Sequence, residues 1–430
     1  MKFSELKLSP HIVRALDELG ISEATSIQEK AIPLIQEGKD VIGISRTGSG
    51  KTLAFCVPLL EKLEKGKGVQ VLILSPTREL AMQISREMSK FGKYMNFSVA
   101  TVFGGVAIDP QMDQIRKSEI VVGTPGRILD HLGRGTLDIS KLKTFALDEA
   151  DKMVEMGFIE DVNRILSNSN TTRQILLFGA TISDEVQNIK KRHMNDPAIA
   201  KVELQVKEDL LEQFYYNLQH NEKFSYLIHL LKKEETDRVI IFCSTKATVN
   251  VLIKNLRDNG IKSEMIHGDL TQNKRMRVIE GFNKGNPRVL VASAVAARGL
   301  DIKNVSHVFN YDLPNDPQEY IHRIGRTARA GESGIAITLL SKKDHDSFGE
   351  ILRRYRVNIQ KLDLEEFERL KFDSSDFGRS GSGYNRGPRR GNSGGSRSYG
   401  GRSPSSGRVP SRGRSSSRGR SSEGFMNRVR

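Results

Sequence analysis

The chain has 430 residues and a formal charge of +15, from 67 Lys and Arg against 52 Asp and Glu. That length exceeds the size at which one hydrophobic core stops growing, so two domains are expected. No segment approaches the ~20 apolar residues of a membrane span. The charged start Met1-Lys2-Phe3-Ser4-Glu5-Leu6-Lys7 lacks the apolar run of a signal peptide. Cys56 and Cys243 fall in different halves, which argues against a disulfide framework or a thiolate metal site and fits a reducing cytoplasm. The charge is uneven. From Asp373 to Arg430, 13 arginines against three acids give +10 of the total, so the basic surface for a partner is concentrated at one end.

Residues 1–39 read as a helical lead-in. Ser9-Pro10 resembles a cap with proline in the first turn, Ile12, Leu16 and Leu19 recur at helical spacing, and Gly20 ends the run. Ser26-Ile27-Gln28-Glu29 starts a second helix, with Ile32, Leu34 and Ile35 facing inward. Short apolar runs then alternate with helical patterns: Val41–Ile44, Val71–Leu74, Val99–Phe103, Ile120–Val122, Phe145–Leu147 and Ile175–Phe178. Continuous apolar strands separated by helices predict a parallel sheet covered on both faces. Each strand ends in a polar or Gly-rich stretch, and ligands of such sheets bind at the carboxyl ends of the strands. Residues from about Ile199 to Tyr216 break the alternation and read as a linker. The pattern restarts with Val239–Phe242, Ser263–Ile266, Val289–Val291, His307–Asn310 and Ile335–Leu340, a second α/β domain of similar layout. After about Phe372 Gly, Ser and Arg dominate with scattered Phe and Tyr. Such a segment buries too little apolar area to offset its ordering entropy, and the composition suits single-stranded nucleic acid.

Ser45-Arg46-Thr47-Gly48-Ser49-Gly50-Lys51-Thr52 lies between an apolar strand and a helical pattern. A strand, a Gly-containing turn and a helix N-terminus form a phosphate cradle, with backbone N–H groups and the positive end of the helix dipole facing the anion. Lys51 would reach the β- and γ-phosphates and the Thr52 hydroxyl would hold Mg²⁺. Ser45 stands where the first Gly of G-x-x-x-x-G-K-[ST] belongs, and the bland alternative is a turn and helix cap. Asp148-Glu149-Ala150-Asp151 follows the strand Thr144–Leu147, roughly 100 residues later. There Asp148 would hold Mg²⁺ and Glu149 would orient and polarise an attacking water. Adjacent acids at a helix start also serve as plain dipole partners, but the pairing with the phosphate loop favours chemistry. His267, His307 and His322 show no zinc spacing, and Met153, Met156 and Phe158 read as core.

The Asp-Glu-Ala-Asp tetrapeptide, together with the motifs on the strand ends, resembles the DEAD-box family of ATP-dependent RNA helicases. The resemblance runs from Phe3 to about Leu370 and is closest to prokaryotic members. It implies two RecA-like parallel-sheet domains in tandem with a disordered basic C-terminal tail. The division expected is an adenine-sensing segment at 1–39, an ATP-binding domain at 40–203, a linker at 204–213, a second domain at 214–370 and an RNA-binding tail at 371–430. By resemblance, Phe3 stacks on the adenine and Gln28 hydrogen-bonds its edge. Pro76, Thr77, Arg78, Gly105, Thr124 and Arg127 of the first domain, with Gly268, Gln272, Arg275 and Ser293 of the second, contact the RNA backbone. Gly179, Ala180, Thr181, Asp151 and His322 couple hydrolysis to strand separation. Asp301 touches the ATP ribose, and Arg326 and Arg329 are arginine fingers for the γ-phosphate.

The resemblance thus implies ATP and Mg²⁺ as cofactors, and single-stranded RNA and short duplexes as partners. It further implies a monomeric core, a cytoplasmic setting and RNP, ribosome-assembly or RNA-decay proteins as associates. The expected function is local duplex unwinding or RNP remodelling by domain closure. The alternative is an ATP-gated RNA clamp or annealing scaffold with little unwinding, and a P-loop ATPase acting on DNA is a weaker third. Five positions depart from the family pattern. Ala24 replaces Pro and Ser45 replaces Ala. Gly179 replaces the Ser of Ser-Ala-Thr, and Ser293-Ala294 replaces Thr-Asp. Ala328 replaces the Gly between the fingers, requiring φ < 0 or strain. None removes a Mg²⁺, water or finger residue.

Overall fold

Val-, Ile- and Leu-rich runs without polar alternation can bury both faces only in a sheet covered on both sides. The computed structural model describes residues 1–45, 48–202, 210–233, 236–293, 302, 305–314, 316–328, 333–355 and 357–374. In it the runs form two seven-stranded sheets, parallel throughout their pairings. The first contains β1 (Val41–Ile44), β2 (Val71–Leu74), β3 (Val99–Val102), β4 (Ile120–Gly123), β5 (Thr144–Leu147), β6 (Gln174–Gly179) and β7 (Ala198–Lys201), ordered β3-β4-β2-β5-β6-β1-β7. The second contains β8 (Leu211–Asn217), β9 (Val239–Cys243), β10 (Ser263–Ile266), β11 (Val289–Ser293), β12 (His307–Asn310), β13 (Gly334–Leu340) and β14 (Gln360–Lys361). Its order, β10-β11-β9-β12-β13-β8-β14, repeats the first sheet strand for strand.

Helices α1 (Pro10–Glu18), α2 (Ser26–Gln36), α3 (Lys51–Leu60), α4 (Arg78–Phe91), α5 (Asp109–Ile115), α6 (Pro125–Gly133), α7 (Ala150–Glu155), α8 (Ile159–Ser167) and α9 (Asp184–His193) belong with the first sheet. The described helices of the second are α10 (Lys223–Lys233), α11 (Lys246–Asp258), α12 (Gln272–Asn283), α13 (Pro317–Ile324) and α14 (His345–Tyr355).

Three sequence expectations need correction. The stretch read as a linker carries two strands. β7 shows Ile199 56% exposed and β8 is Leu-Glu-Gln-Phe-Tyr-Tyr-Asn, so neither has the continuous apolar run that marks a central strand. Residues 1–39 are part of the first domain's core: Phe3, Leu6, Ile12, Leu16, Ile27, Ile32 and Ile35 pack in one cluster with Val41, Phe55 and Phe178. Part of the tail expected at 371–430 packs on the second domain: the Phe372 ring lies 5.0 Å from that of Phe224. Asp373 exchanges two hydrogen bonds with the buried Asn255 side chain, at 2.8 and 3.0 Å.

A buried ion pair ties the second domain together. Lys223 is fully buried, and its ammonium donates to Asp344 Oδ2 at 2.9 Å and to Tyr311 O at 3.2 Å. The same carboxylate oxygen accepts from the Ser341 N–H and hydroxyl at 2.8 and 2.6 Å. Burial pushes the Asp344 carboxyl up, but the hydrogen bonds from Ser341 and Lys223 outweigh it and hold it below its ordinary value. A depressed folded-state pKa stabilises fully above the unfolded value of about 3.9 and is lost as pH falls through the folded value. Asp344→Ala strands a buried ammonium and is expected to cost about 3–5 kcal/mol. Hydrogen exchange of the β8 and β13 amides reads this out, and unchanged protection would refute the assignment.

Candidate functional site

Parallel strands all deliver their carboxyl ends to one edge, and at the end of β1 the chain turns into α3 through the Gly48-Ser49-Gly50 loop. Gly50 caps α3 at φ +88°, and a Cβ there would lie 2.2 Å from Gln28 Nε2. Only glycine allows that approach. Gln28, at the third position of α2, is 3% exposed; its Nε2 donates to Gly50 O at 3.0 Å and its Oε1 accepts from Thr25 N–H at 2.8 Å. The Thr25 hydroxyl donates to Ser49 O at 2.8 Å. The predicted adenine-contacting amide is therefore a strut between α2 and the loop. Ser45 is buried, with its hydroxyl 2.7 Å from that of Ser49. Lys51 folds over the loop and donates to Ser45 O at 2.6 Å. Phe3 is 1% exposed inside the core, so its ring shows packing and presents no open face for stacking. Arg46, Thr47, Asp301 and Arg329 lie outside the described residues, as does Ala294.

At the end of β5, Asp148 is 2% exposed and accepts the Glu149 N–H at 2.9 Å. Burial and then the neighbouring Glu149 charge push its carboxyl up to about 7, against the pull of Lys51. Burial in turn pulls the Lys51 ammonium down, opposed by Asp148, Glu149 and Asp151. Glu149 caps α7 in the left-handed region at φ 51°. Its Oε1 pairs with Lys152 Nζ at 2.6 Å, while Oε2 is buried without a hydrogen-bond partner among the described residues. Burial works to raise the Glu149 pKa, but Lys152, Arg326 and Lys51 together hold it below its ordinary value. Arg326, 5% exposed in the second domain, thus places its charge at the first domain's acid. Asp151 Oδ2 accepts the Ala180 and Thr181 N–H groups at 3.0 and 3.2 Å, joining α7 to the end of β6 without the missing serine hydroxyl at Gly179. Thr181 in turn accepts from Gln318 of α13 at 3.3 Å.

A groove of about 1090 Å³ runs between the two domains. Of the residues expected to contact a nucleic-acid backbone, Pro76, Thr77, Arg78, Thr124, Arg127, Gly268, Gln272, Arg275 and Ser293 line it. Gly105 sits behind: at φ +81°, a Cβ there would lie 2.3 Å from Arg78 Nη1, so glycine makes room for the arginine. Glu79 crosses the groove, accepting from Gln272 Nε2 at 3.0 Å with Arg275 Nε also 3.0 Å away. His322 lies on α13, three residues after Glu319 of the groove wall.

Sequence reasoning missed part of this wall. Ser244, Thr245 and Lys246 line the groove after β9, where Thr245 caps α11. β9 is the topological counterpart of β2, which is followed by Pro76, Thr77 and Arg78, so a polar stretch after β9 carries the same signal. Met156 and Phe158, read as core, are half-buried groove residues just after α7 ends, whereas Met153 is fully buried as expected. Ala328 adopts φ 53°, the strained conformation its glycine-to-alanine departure allowed for.

Comparison with known proteins agrees with this arrangement. Residues 25–189 match the model of the DEAD/DEAH box helicase family and residues 222–331 that of the helicase conserved C-terminal domain. The ATP-dependent RNA helicase CshA of Listeria monocytogenes is 47% identical over 80% of this chain and 66% of its own length. The DEAD-box ATP-dependent RNA helicase CshA of Geobacillus kaustophilus is 43% identical over 84% of this chain and 78% of its own. Dbp5 of S. cerevisiae bound to RNA and ADP BeF3 superposes with a TM-score of 0.77 at 31% identity, covering 84% of this chain and 95% of Dbp5. With its two RecA-like domains in tandem, the chain belongs to the DEAD-box family of ATP-dependent RNA helicases, a family of RNA-dependent ATPases.

Proposed function

We propose that this chain hydrolyses ATP when ATP and single-stranded RNA bind across its two RecA-like domains, at 40–203 and 214–370, and that closure opens short duplexes or remodels RNA–protein complexes. The observation that carries the reading is one groove whose walls come from both domains, with Glu79 meeting Gln272 and Arg275 across it. The positive side chains and exposed backbone in that groove suit phosphate contacts, which fix register and carry no sequence information. ATP and RNA that both favour the closed arrangement each raise the other's affinity.

The catalytic roles follow from the site. Lys51 leaves Ser45 O to meet the β- and γ-phosphates. Glu149 Oε2, its one carboxylate oxygen without a hydrogen bond, accepts the attacking water, with Lys152 fixing the other oxygen. Arg326 offers its charge to the γ-phosphate from the second domain, and Arg329 is assigned the second arginine finger by the family resemblance alone. Asp148 and Thr52 would hold Mg²⁺: both offer hard oxygen donors, and a carboxyl raised to about 7 by burial is one that a cation would restore to its charged form. Bound there, the ion neutralises phosphate charge. Asp151 carries the state of α7 to Thr181, and through Gln318 to the second domain. Gln28 selects adenine once the nucleotide has opened the loop.

Residues 375–430 supply Arg, Gly and Ser for tethering RNA. Among the described residues no helix is long and apolar enough to cross a membrane, and both cysteines are buried free thiols, which supports a cytoplasmic setting. A monomeric core with RNP, ribosome-assembly or RNA-decay associates completes the proposal.

Two measurements test it. Single-stranded RNA should stimulate steady-state ATP hydrolysis, Glu149→Gln should lower the stimulated rate by about 10²–10⁴, and ATP should release a strand from a short RNA duplex. Stimulation without strand release would establish the clamp instead; no stimulation would overturn the coupling. Because the left-handed region costs a non-glycine residue about 1–2 kcal/mol, Ala328→Gly should stabilise the second domain by about 1 kcal/mol without lowering the RNA-stimulated rate. Destabilisation in a urea titration would show that the strain is absent.

A further inference from the structure

Arg127 enters the groove already held. Its two terminal nitrogens donate to Val106 O, each at 3.2 Å, and Nη1 reaches Gln111 Oε1 at 3.5 Å. Gln111, 5% exposed, donates through Nε2 to Phe103 O at 3.0 Å. That bond fixes which end of the amide faces Arg127: the oxygen. Behind it lies His131, fully buried and four residues beyond Arg127 on α6. Its Nε2 is 3.3 Å from the same Gln111 oxygen and its Nδ1 is 2.8 Å from Thr136 Oγ1. An amide oxygen only accepts, so Nε2 carries the proton, and Nδ1 at 2.8 Å shares the single Thr136 hydroxyl proton with His131 O at 3.2 Å. Burial first, and then the Arg127 charge, push the imidazole pKa down and keep the ring neutral in that tautomer.

We propose that His131 is a positioning residue of the RNA groove, whose Nε2–H orients the Gln111 amide so that Gln111 holds the Arg127 guanidinium toward an RNA phosphate. A histidine that merely filled the core would need no polar partner leading to a groove cation. Here its Nε2–H goes to Gln111, which bridges Arg127 and Phe103 O just before Gly104 and Gly105, while the Asp130 carboxylate lies 3.6 Å from Arg127 Nε on the other side. The inference rests on the groove being the RNA site, and the experiment separates the two.

The readout is the concentration of single-stranded oligouridine that half-saturates ATP hydrolysis, measured with the KM for ATP. Arg127→Ala removes a charged hydrogen bond and should raise the oligouridine requirement about tenfold or more. His131→Ala and Gln111→Met should each raise it several-fold with the ATP KM unchanged, and His131→Gln, which can donate from the same reach, should recover most of the loss. In an Arg127→Ala background, His131→Ala should add little, since its path is already cut. If Arg127→Ala leaves the RNA requirement unchanged, the groove reading fails and takes this proposal with it. If Arg127→Ala acts but His131→Ala is silent, adds its full effect in the double variant, or raises the ATP KM equally, the relay alone is wrong. Should His131→Ala fail to fold, Gln111→Met decides: no rise in the RNA requirement overturns the relay.

Discussion

Everything at the site depends on strands that run parallel. In the first sheet β1, β2, β3, β4, β5 and β6 finish at a common edge, which gathers the loop before Lys51, Thr77, Gly104, Thr124, Asp148 and Gly179 from a span of more than 130 residues. An antiparallel sheet would scatter those ends to two edges. The cost is burial on both faces, met here by helices on either side and by two separate apolar clusters, one containing Phe55 and Phe178, the other Leu72 and Phe145. The second sheet repeats the strand order, so its own carboxyl edge presents Ser244, Gly268 and Ser293 in the same manner.

At that edge the governing interaction is between buried charges. Lys51 and Asp148 are each raised in energy by burial and each relieved by the other, while Glu149 is held ionised by Lys152 and by Arg326. A site so arranged favours ligands that bring both phosphate anions for the lysine and a cation for the aspartate. The phosphate loop waits in a folded form, with Lys51 on Ser45 O and the Ser45 and Ser49 hydroxyls paired. The same loop is tied to α2 through Gln28 on Gly50 O and Thr25 on Ser49 O.

Among the described residues, polar side chains join the two domains. Glu79 with Gln272 and Arg275, and Thr181 with Gln318, join them at the groove and beside the catalytic acids respectively. Contacts of this kind suit an interface that opens and closes, because each broken bond is returned to water at small net cost. The Asp151 carboxylate bonded to Ala180 and Thr181 puts the hydrolytic side of the first domain in mechanical contact with that interface.

The central strands, the Gly-Lys-Thr turn, the adjacent acids after β5 and nine of the ten residues expected on a nucleic-acid backbone, all lining the groove, were legible along the chain. Those features are local: an apolar run of four or five residues, a Gly-Lys-Thr turn, a polar strand end. Strands β7 and β8 lack the unbroken apolar signature: β7 is an edge with Ile199 exposed, and β8, between β13 and the two-residue β14, carries polar and half-buried side chains along most of its length. Tertiary structure alone decided which side of a residue faces the ligand. Phe3 went into the core, Met156 came out into the groove, Phe158 lies against the core with a face on the groove, and Gln28 became a strut on Gly50. Only tertiary structure, too, could join Arg326 to Glu149 or His131 to Arg127 through Gln111, since such pairings are set by packing between elements and leave no periodic trace along the chain.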